Sequence, residues 1–348
     1  MHPRTTRILF AFGLIFSPFY ALLMRLRALL YRYNIFLKQE RAGVPVVSVG
    51  NLTLGGTGKT PLVMYLCRFL QGMGRHPAVL SRGYGRRGGG VAVVSDGERV
   101  LLGPERAGDE PLLLAQSLTG VPVVVGANRR AAARRAVERL KADCLVLDDG
   151  FQHLALARNL NLALFGARTL LGNGRVFPGG DLREPVSALG RADAFVITGV
   201  DRESRGRVES FRRFLKERFP DTPSFSGEYL PVCLVHSGHE KTVAMDKAKA
   251  MPLHGFAGIA DPESFRLTLI RERFRLTGFT AFADHHSYSR RDFNRLVEEA
   301  LAAKARGLLT TEKDFVKLAP WFDDFPVMAM RIELFMEEEF DLFLADRL

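Results

Sequence analysis

One stretch restricts this chain more than any other: residues 44–60, VPVVSVGNLTLGGTGKT. Val44, Val46, Val47 and Val49 are β-branched and closely spaced, as in a short strand buried on both faces. The chain then breaks at Gly50, Gly55, Gly56 and Gly58 and ends in Lys59 and Thr60. Beyond Pro61, the apolar residues Leu62, Val63, Leu66, Phe69 and Leu70 fall at helical spacing. Strand, glycine-rich turn, Lys-hydroxyl and helix together are the setting of a phosphate-binding loop. There, backbone N–H groups converge on an anion in front of the positive end of a helix. Counted from Thr53, the residues Thr53, Leu54, Gly55, Gly56, Thr57, Gly58, Lys59 and Thr60 keep the length of such a loop, with Thr53 standing where its first glycine would be. All eight are expected to line a nucleotide. Lys59 would bridge the β- and γ-phosphates, and Thr60 would offer its Oγ to Mg²⁺. The pattern implies a nucleoside triphosphate, ATP or a relative, bound with Mg²⁺.

A second motif supports the first. Residues 144–147 are an apolar run ending in Asp148 and Asp149, the form in which a strand end holds a carboxylate near Mg²⁺ or its water shell. Further short apolar runs at 78–80, 121–125, 160–165 and 194–198 alternate with helical patterns. Such alternation predicts an α/β fold, a P-loop doubly wound parallel sheet with ligands at the strand C-termini. Arg82 lies in SRGYGR, a basic glycine-punctuated loop that suits phosphate and equally suits a solvated turn. Asp109, in GDEP, reads as a helix start, with a plain cap as its default role. Residues 172–185 form a Gly/Pro-rich loop containing Arg183 and Glu184, and loops of that length in α/β domains tend to be functional. The stretch 220–231 is punctuated by Pro, Ser and Gly and is where a domain boundary is expected, with a second, smaller α/β unit following. Strands are expected there at 253–259, 280–283, 308–309 and 327–332, and a closing helix at 337–348. The predicted domains are 1–40 (an N-terminal hydrophobic and basic helix), 41–225 (nucleotide-binding) and 226–348. Asp284-His285-His286 lacks the further ligands of a metal site, and one His there suits a catalytic or orienting role. Thr311-Glu312-Lys313-Asp314 lacks the Asn of a guanine-reading motif.

Charge narrows the partners. The 348 residues carry a formal net charge of +11, so an anionic partner is expected. The arginines are scattered and no nucleic-acid-binding motif is present, which disfavours nucleic acid. Cys67, Cys144 and Cys233 lie far apart in apolar contexts and read as reduced core residues. Residues 8–24 hold no charge and are rich in Phe, with Arg4 and Arg7 before them and Arg25, Arg27 and Arg32 after. A helix of that length reaches about 25 Å, short of the roughly 30 Å of a hydrocarbon core, and Pro18 is expected to kink it. Three readings are open: a monotopic helix on an anionic membrane surface, which flanking basic residues favour, a true span, or a buried helix.

The motifs VPVVSVGNLTLGGTGKTP, SRGYGR, GDEP, LVLDDGFQH, LREP, FADHHSY and LLTTEKD occur in this order. Together they resemble the tetraacyldisaccharide 4'-kinase family of lipid A biosynthesis, over nearly the whole chain. The resemblance implies transfer of the ATP γ-phosphate to the 4'-hydroxyl of an acylated glucosamine disaccharide 1-phosphate, by a monomer at the cytoplasmic face of the bacterial inner membrane. By position it implies Lys59 and Thr60 for phosphate and Mg²⁺, and Asp148 with Asp149 for the metal. It also implies Asp109 as catalytic base with His285 in support, and Arg82, Arg183 and Glu184 near the acceptor. Phe282-Ala283 departs from the family pattern, which has Pro before the Asp. A membrane-attached P-loop ATPase switch of the partitioning or targeting type is the alternative; it would hydrolyse ATP slowly by itself, whereas a kinase consumes ATP in proportion to acceptor.

Overall fold

A computed structural model supplies the structure and describes residues 10, 13–54, 58–237, 242–259, 261–284, 286–318, 321–322 and 325–348. The chain divides into two compact units. The first comprises Met1–Gly103, Leu114–Tyr229 and Leu334–Leu348; the second comprises Pro104–Leu113 and Leu230–Glu333.

The first unit opens with helix α1 (Ser17–Arg32), where Pro18 occupies the first turn. Pro18 thus sits at a helix start, where a missing N–H is harmless because the first helical N–H groups have no partner anyway. Strand β1 (Val46–Gly50) is buried throughout and leads to α2 (Lys59–Gly72). Then come β2 (Pro77–Ser81) and β3 (Ala92–Ser95), followed in the chain by the short helices α3 (Pro104–Ala107), which groups with the second unit, and α4 (Asp109–Ser117), which starts there. The unit continues through β4 (Val123–Val125), α5 (Arg129–Leu140), β5 (Cys144–Leu147), β6 (Leu160–Gly166), β7 (Ala194–Thr198) and α6 (Arg205–Arg218). Strand β8 (Ser224–His236) begins in this unit, and α11 (Glu338–Arg347) returns to it.

Its sheet runs β8-β7-β6-β1-β5-β2-β4-β3, parallel throughout except for β3, which pairs antiparallel with β4. Strands β1, β2, β4 and β5 share one apolar cluster with α5, and β6 and β7 share another with α6. One holds Leu80, Val124, Ala132, Ala136, Leu145 and Leu147; the other holds Phe151, Phe165, Phe195, Ile197, Phe211 and Leu215. In the register of the central strands Ser48 faces Leu147, so the residues after β1 and those after β5 emerge side by side at the C-terminal edge. That edge is where this class of sheet presents its ligands.

The second unit contributes parallel strands in the order β11-β10-β12-β13: β10 (Leu253–Ala257), β11 (Leu276–Ala281), β12 (Leu308–Thr311) and β13 (Val327–Met336). Helices α7 (Met245–Lys249), α8 (Pro262–Arg271), α9 (Arg290–Ala302) and α10 (Glu312–Leu318) accompany them, and β9 (Thr242–Val243) pairs antiparallel with the far end of β8. Ser289 and Asp292 form a reciprocal capping box at the start of α9. Helix α4 begins in this unit, since Pro104–Leu113 group with it. Most of the stretch 220–231 lies in β8, whose 13 residues run through Pro231. Strand β11 also ends sooner than expected, at Ala281.

Candidate active site

In the first unit the site grows out of the ends of β1 and β5. Gly58 caps α2 in a left-handed conformation, φ +77°, that a side chain would strain. A Cβ there would also lie 1.7 Å from the Tyr229 hydroxyl, which donates to the Gly58 carbonyl at 3.2 Å. Burial pushes the Tyr229 phenol up to about 12, so it stays a donor. Gly55, Gly56 and Thr57 lie outside the described residues, as does His285. Lys59 is directed back over the strand ends, donating to Asn51 Oδ1 at 3.3 Å and pairing with Asp149 at 3.4 Å. Thr60 follows it in the first turn of α2, half-buried.

Asp149 has φ +52° and receives Arg183 Nη1 on both carboxylate oxygens, at 3.1 and 2.9 Å. Burial would raise its pKa, but Lys59 and Arg183 outweigh burial and hold the carboxyl below its ordinary value. Asp148, buried at the end of β5, accepts from Ser81 Oγ at 2.8 Å, and its backbone carbonyl accepts from Arg129 at 3.3 Å. Burial draws the Arg129 guanidinium down to about 10 while Asp148 supports it, so it remains a cation beneath the site. Arg82, at the end of β2, is exposed.

The loop 172–185 is fastened to the phosphate loop by backbone bonds. Leu54 N donates to Asp181 O and Arg183 N to Leu52 O, both at 2.7 Å, with Thr53 bridged to Leu182. Glu184 is 2% exposed and accepts from Arg191 at 2.7 Å, while Arg191 lies 4.4 Å over the Phe151 ring. Arg183 thus faces the site, and Glu184 anchors the loop that carries it.

In the second unit Asp109 starts α4 and pairs with Lys317 of α10 at 3.3 Å. Lys317 also lies 3.7 Å from Asp314 and donates to the His286 carbonyl at 3.2 Å. Asp314 in turn accepts from Gly258 N and Thr311 Oγ1, each at 2.9 Å. Among the described residues no group of three or more His, Cys, Asp and Glu side chains could hold a metal by itself. Asn51, Arg129, Tyr229 and Lys317 were not singled out from the sequence. Asn51, next to the glycine-rich turn, is the one whose position hinted at a role.

A parallel sheet whose central strand ends in a glycine-capped helix, with a Lys at that helix start facing a strand-end carboxylate, defines a P-loop nucleotide-binding protein of the α/β class. The family model described as tetraacyldisaccharide-1-P 4'-kinase matches residues 9–348, and the chain belongs to that family. A tetraacyldisaccharide 4'-kinase of Desulfotalea psychrophila is 45% identical over 335 residues, covering 96% of this chain and 95% of the relative. One from Syntrophus aciditrophicus is 40% identical, covering 87% and 86%. Among solved structures, LpxK from Aquifex aeolicus, described as an "apo" form in complex with ATP, matches with a TM-score of 0.79. It is 35% identical and covers 94% of this chain and 95% of its own.

Proposed function

We propose that this chain transfers the γ-phosphoryl group of ATP to the 4'-hydroxyl of a tetraacylated glucosamine disaccharide 1-phosphate, as a monomer on the cytoplasmic face of the bacterial inner membrane. One observation carries most of the reading. Lys59 stands at the N-terminus of α2, 3.4 Å from the strand-end carboxylate of Asp149, poised to exchange that partner for phosphate oxygens. Phosphoryl transfer depends on positioning and charge neutralisation, and a preorganised cation at a helix N-terminus supplies both.

The residues present fit Mg²⁺: a hydroxyl at Thr60 and carboxylates at Asp148 and Asp149 are hard oxygen donors, to be completed by nucleotide oxygens and water. Bound there, the ion would neutralise charge on the phosphates. Asp109 serves as the base. The 4'-hydroxyl O–H bond breaks and its proton passes to the Asp109 carboxylate. The freed electron pair forms the new bond to the γ-phosphorus, the bond from phosphorus to the bridging oxygen breaks, and ADP leaves. His285 supports Asp109, and Arg82 and Arg183 meet anionic groups of the ligands. Helix α1, with Phe16 before it, provides the membrane contact: Phe16, Phe19, Leu22, Leu23 and Leu26 are exposed, with Arg25 and Arg32 nearby to meet anionic headgroups, each worth about 1 kcal/mol, while Arg27 is held by the Gln152 carbonyl. Among the described residues no helix is long and apolar enough to cross a membrane.

The test is mass spectrometry of tetraacyldisaccharide 1-phosphate incubated with enzyme, ATP and Mg²⁺. A lipid heavier by one phosphoryl group is expected; ATP consumption without that product would point to an ATPase switch instead. Asp109→Asn and His285→Ala should each lower kcat by about 10²–10⁴. The double variant should be hardly worse than the poorer single, since groups acting as a unit are non-additive.

A further inference from the structure

Lys317 is only 8% exposed. A lysine is seldom that buried unless its charge is compensated, and here three acceptors surround the ammonium. Asp109 Oδ2 lies at 3.3 Å, the His286 carbonyl at 3.2 Å and Asp314 Oδ1 at 3.7 Å. The first two are within hydrogen-bond distance, whereas Asp314 Oδ1 stands at ion-pair distance only.

The two carboxylates are not equivalent. Asp314 is fully buried, and its Oδ2 is taken by the Gly258 amide and the Thr311 hydroxyl. A Cβ at Gly258 would lie 3.2 Å from the other oxygen of Asp314, so the backbone closes tightly around that carboxylate. Asp314 is a fixed counter-charge, sufficient by itself to neutralise Lys317. Asp109 is a quarter exposed. A second ion pair, Lys313 to Glu110 at 3.8 Å, already joins α10 to the start of α4 one turn earlier. Lys317 is therefore not required merely to attach the two helices.

We infer that Lys317 is a positioning residue for the acceptor-side base: anchored on Asp314, it grips Asp109 by Oδ2 and sets the carboxylate for the substrate hydroxyl. The inference rests on the reading of Asp109 as base. Asp109, Asp314 and Lys317 together carry one surplus negative charge. When the hydroxyl proton moves to Asp109, the trio becomes neutral, so the buried lysine confronts no uncompensated charge during turnover. The same ammonium holds the backbone carbonyl of His286, one residue beyond His285. One cation thus steadies both segments to which the base and its helper belong.

The test is a double-mutant cycle on the full-length enzyme, with ATP and the tetraacylated disaccharide 1-phosphate in mixed micelles. Lys317→Met is expected to lower kcat about 10²-fold, the cost typical of a reacting group displaced by about 1 Å, with KM for ATP essentially unchanged. Lys313→Met, which removes the neighbouring ion pair from the same helix, should leave kcat near wild type. Combined with Asp109→Asn, Lys317→Met should add nothing to the loss. Lys317→Gln, which keeps a donor for the His286 carbonyl, serves the same cycle if Lys317→Met does not accumulate as folded protein. The inference is overturned, with the base reading intact, if Asp109→Asn is inactive while the Lys317 variants keep wild-type kcat or their loss multiplies with that of Asp109→Asn. Full activity of Asp109→Asn would remove the base reading and the inference with it.

Discussion

Lys59 is held by Asn51 on one side and Asp149 on the other. Its charge is thus prepositioned, and Lys59→Ala should lower kcat by about 10²–10³ in a steady-state assay, as loss of a preorganised electrostatic contact does. His153, at the end of the FQH segment, behaves differently. Burial and then the charge of Arg129 depress its pKa from 6.5 to about 4. Because the folded value lies below the unfolded one, stability is full above about pH 6.5 and falls as pH drops towards 4, by at most about 1.4 kcal/mol per pH unit. Urea midpoints compared at pH 7 and pH 5 should drop less for His153→Gln than for wild type; equal drops would show that His153 does not titrate this way. The chemistry of Lys59 is legible in the sequence because glycines, Lys and hydroxyl are adjacent there. Lys317 is not legible, since it reads as one more polar position on a helix and its partner Asp109 comes from a distant part of the chain.

Among the elements, α2 is capped by a residue with no room for a side chain. Gly58 is confined both by its left-handed backbone and by the Tyr229 hydroxyl. Gly58→Ala should therefore abolish measurable ATP binding by calorimetry. Adding Tyr229→Phe should restore only part of it, because removing the hydroxyl leaves the backbone strain in place. Full recovery would assign the whole effect to the steric clash. The buried strands β1, β5, β6 and β7 were legible because each is a continuous apolar run bounded by turn residues. Strand β8 was hidden: Pro223, Pro231 and Gly227 carry the punctuation of a domain boundary. Its residues instead alternate in burial, with Phe225 and Gly227 inward. The start of α4 was read correctly as a helix start, but its grouping with the C-terminal unit depends on contacts such as Lys317 to Asp109 that no local pattern encodes.

On the scale of the whole molecule, the N-terminal helix is bound into the nucleotide site's supporting loops. Ser17 Oγ donates to the Val176 carbonyl at 2.7 Å and accepts from Gly179 N at 2.8 Å, while Tyr20 packs edge-on against Phe177. Arg27 donates to the Gln152 carbonyl, and the Gln152 amide donates to Asn51 O. Asn51 contacts Lys59, and the loop that Ser17 holds runs on to Arg183 and hence to Asp149. Phe16→Ser, Phe19→Ser and Leu23→Ser together should weaken partition onto anionic liposomes at least about tenfold, given roughly 1.5–3 kcal/mol for each large apolar side chain buried. A helix tied in this way is also one half of a thermodynamic cycle. If engaging a bilayer through α1 changes ATP affinity by some factor, saturating ATP must change bilayer affinity by the same factor, because the coupling free energy belongs to both ligands. Co-sedimentation with and without ATP, set beside ATP titrations with and without liposomes, should return one number twice. A factor of one in both would mean that the helix fixes where the enzyme works and leaves unchanged how tightly it holds ATP.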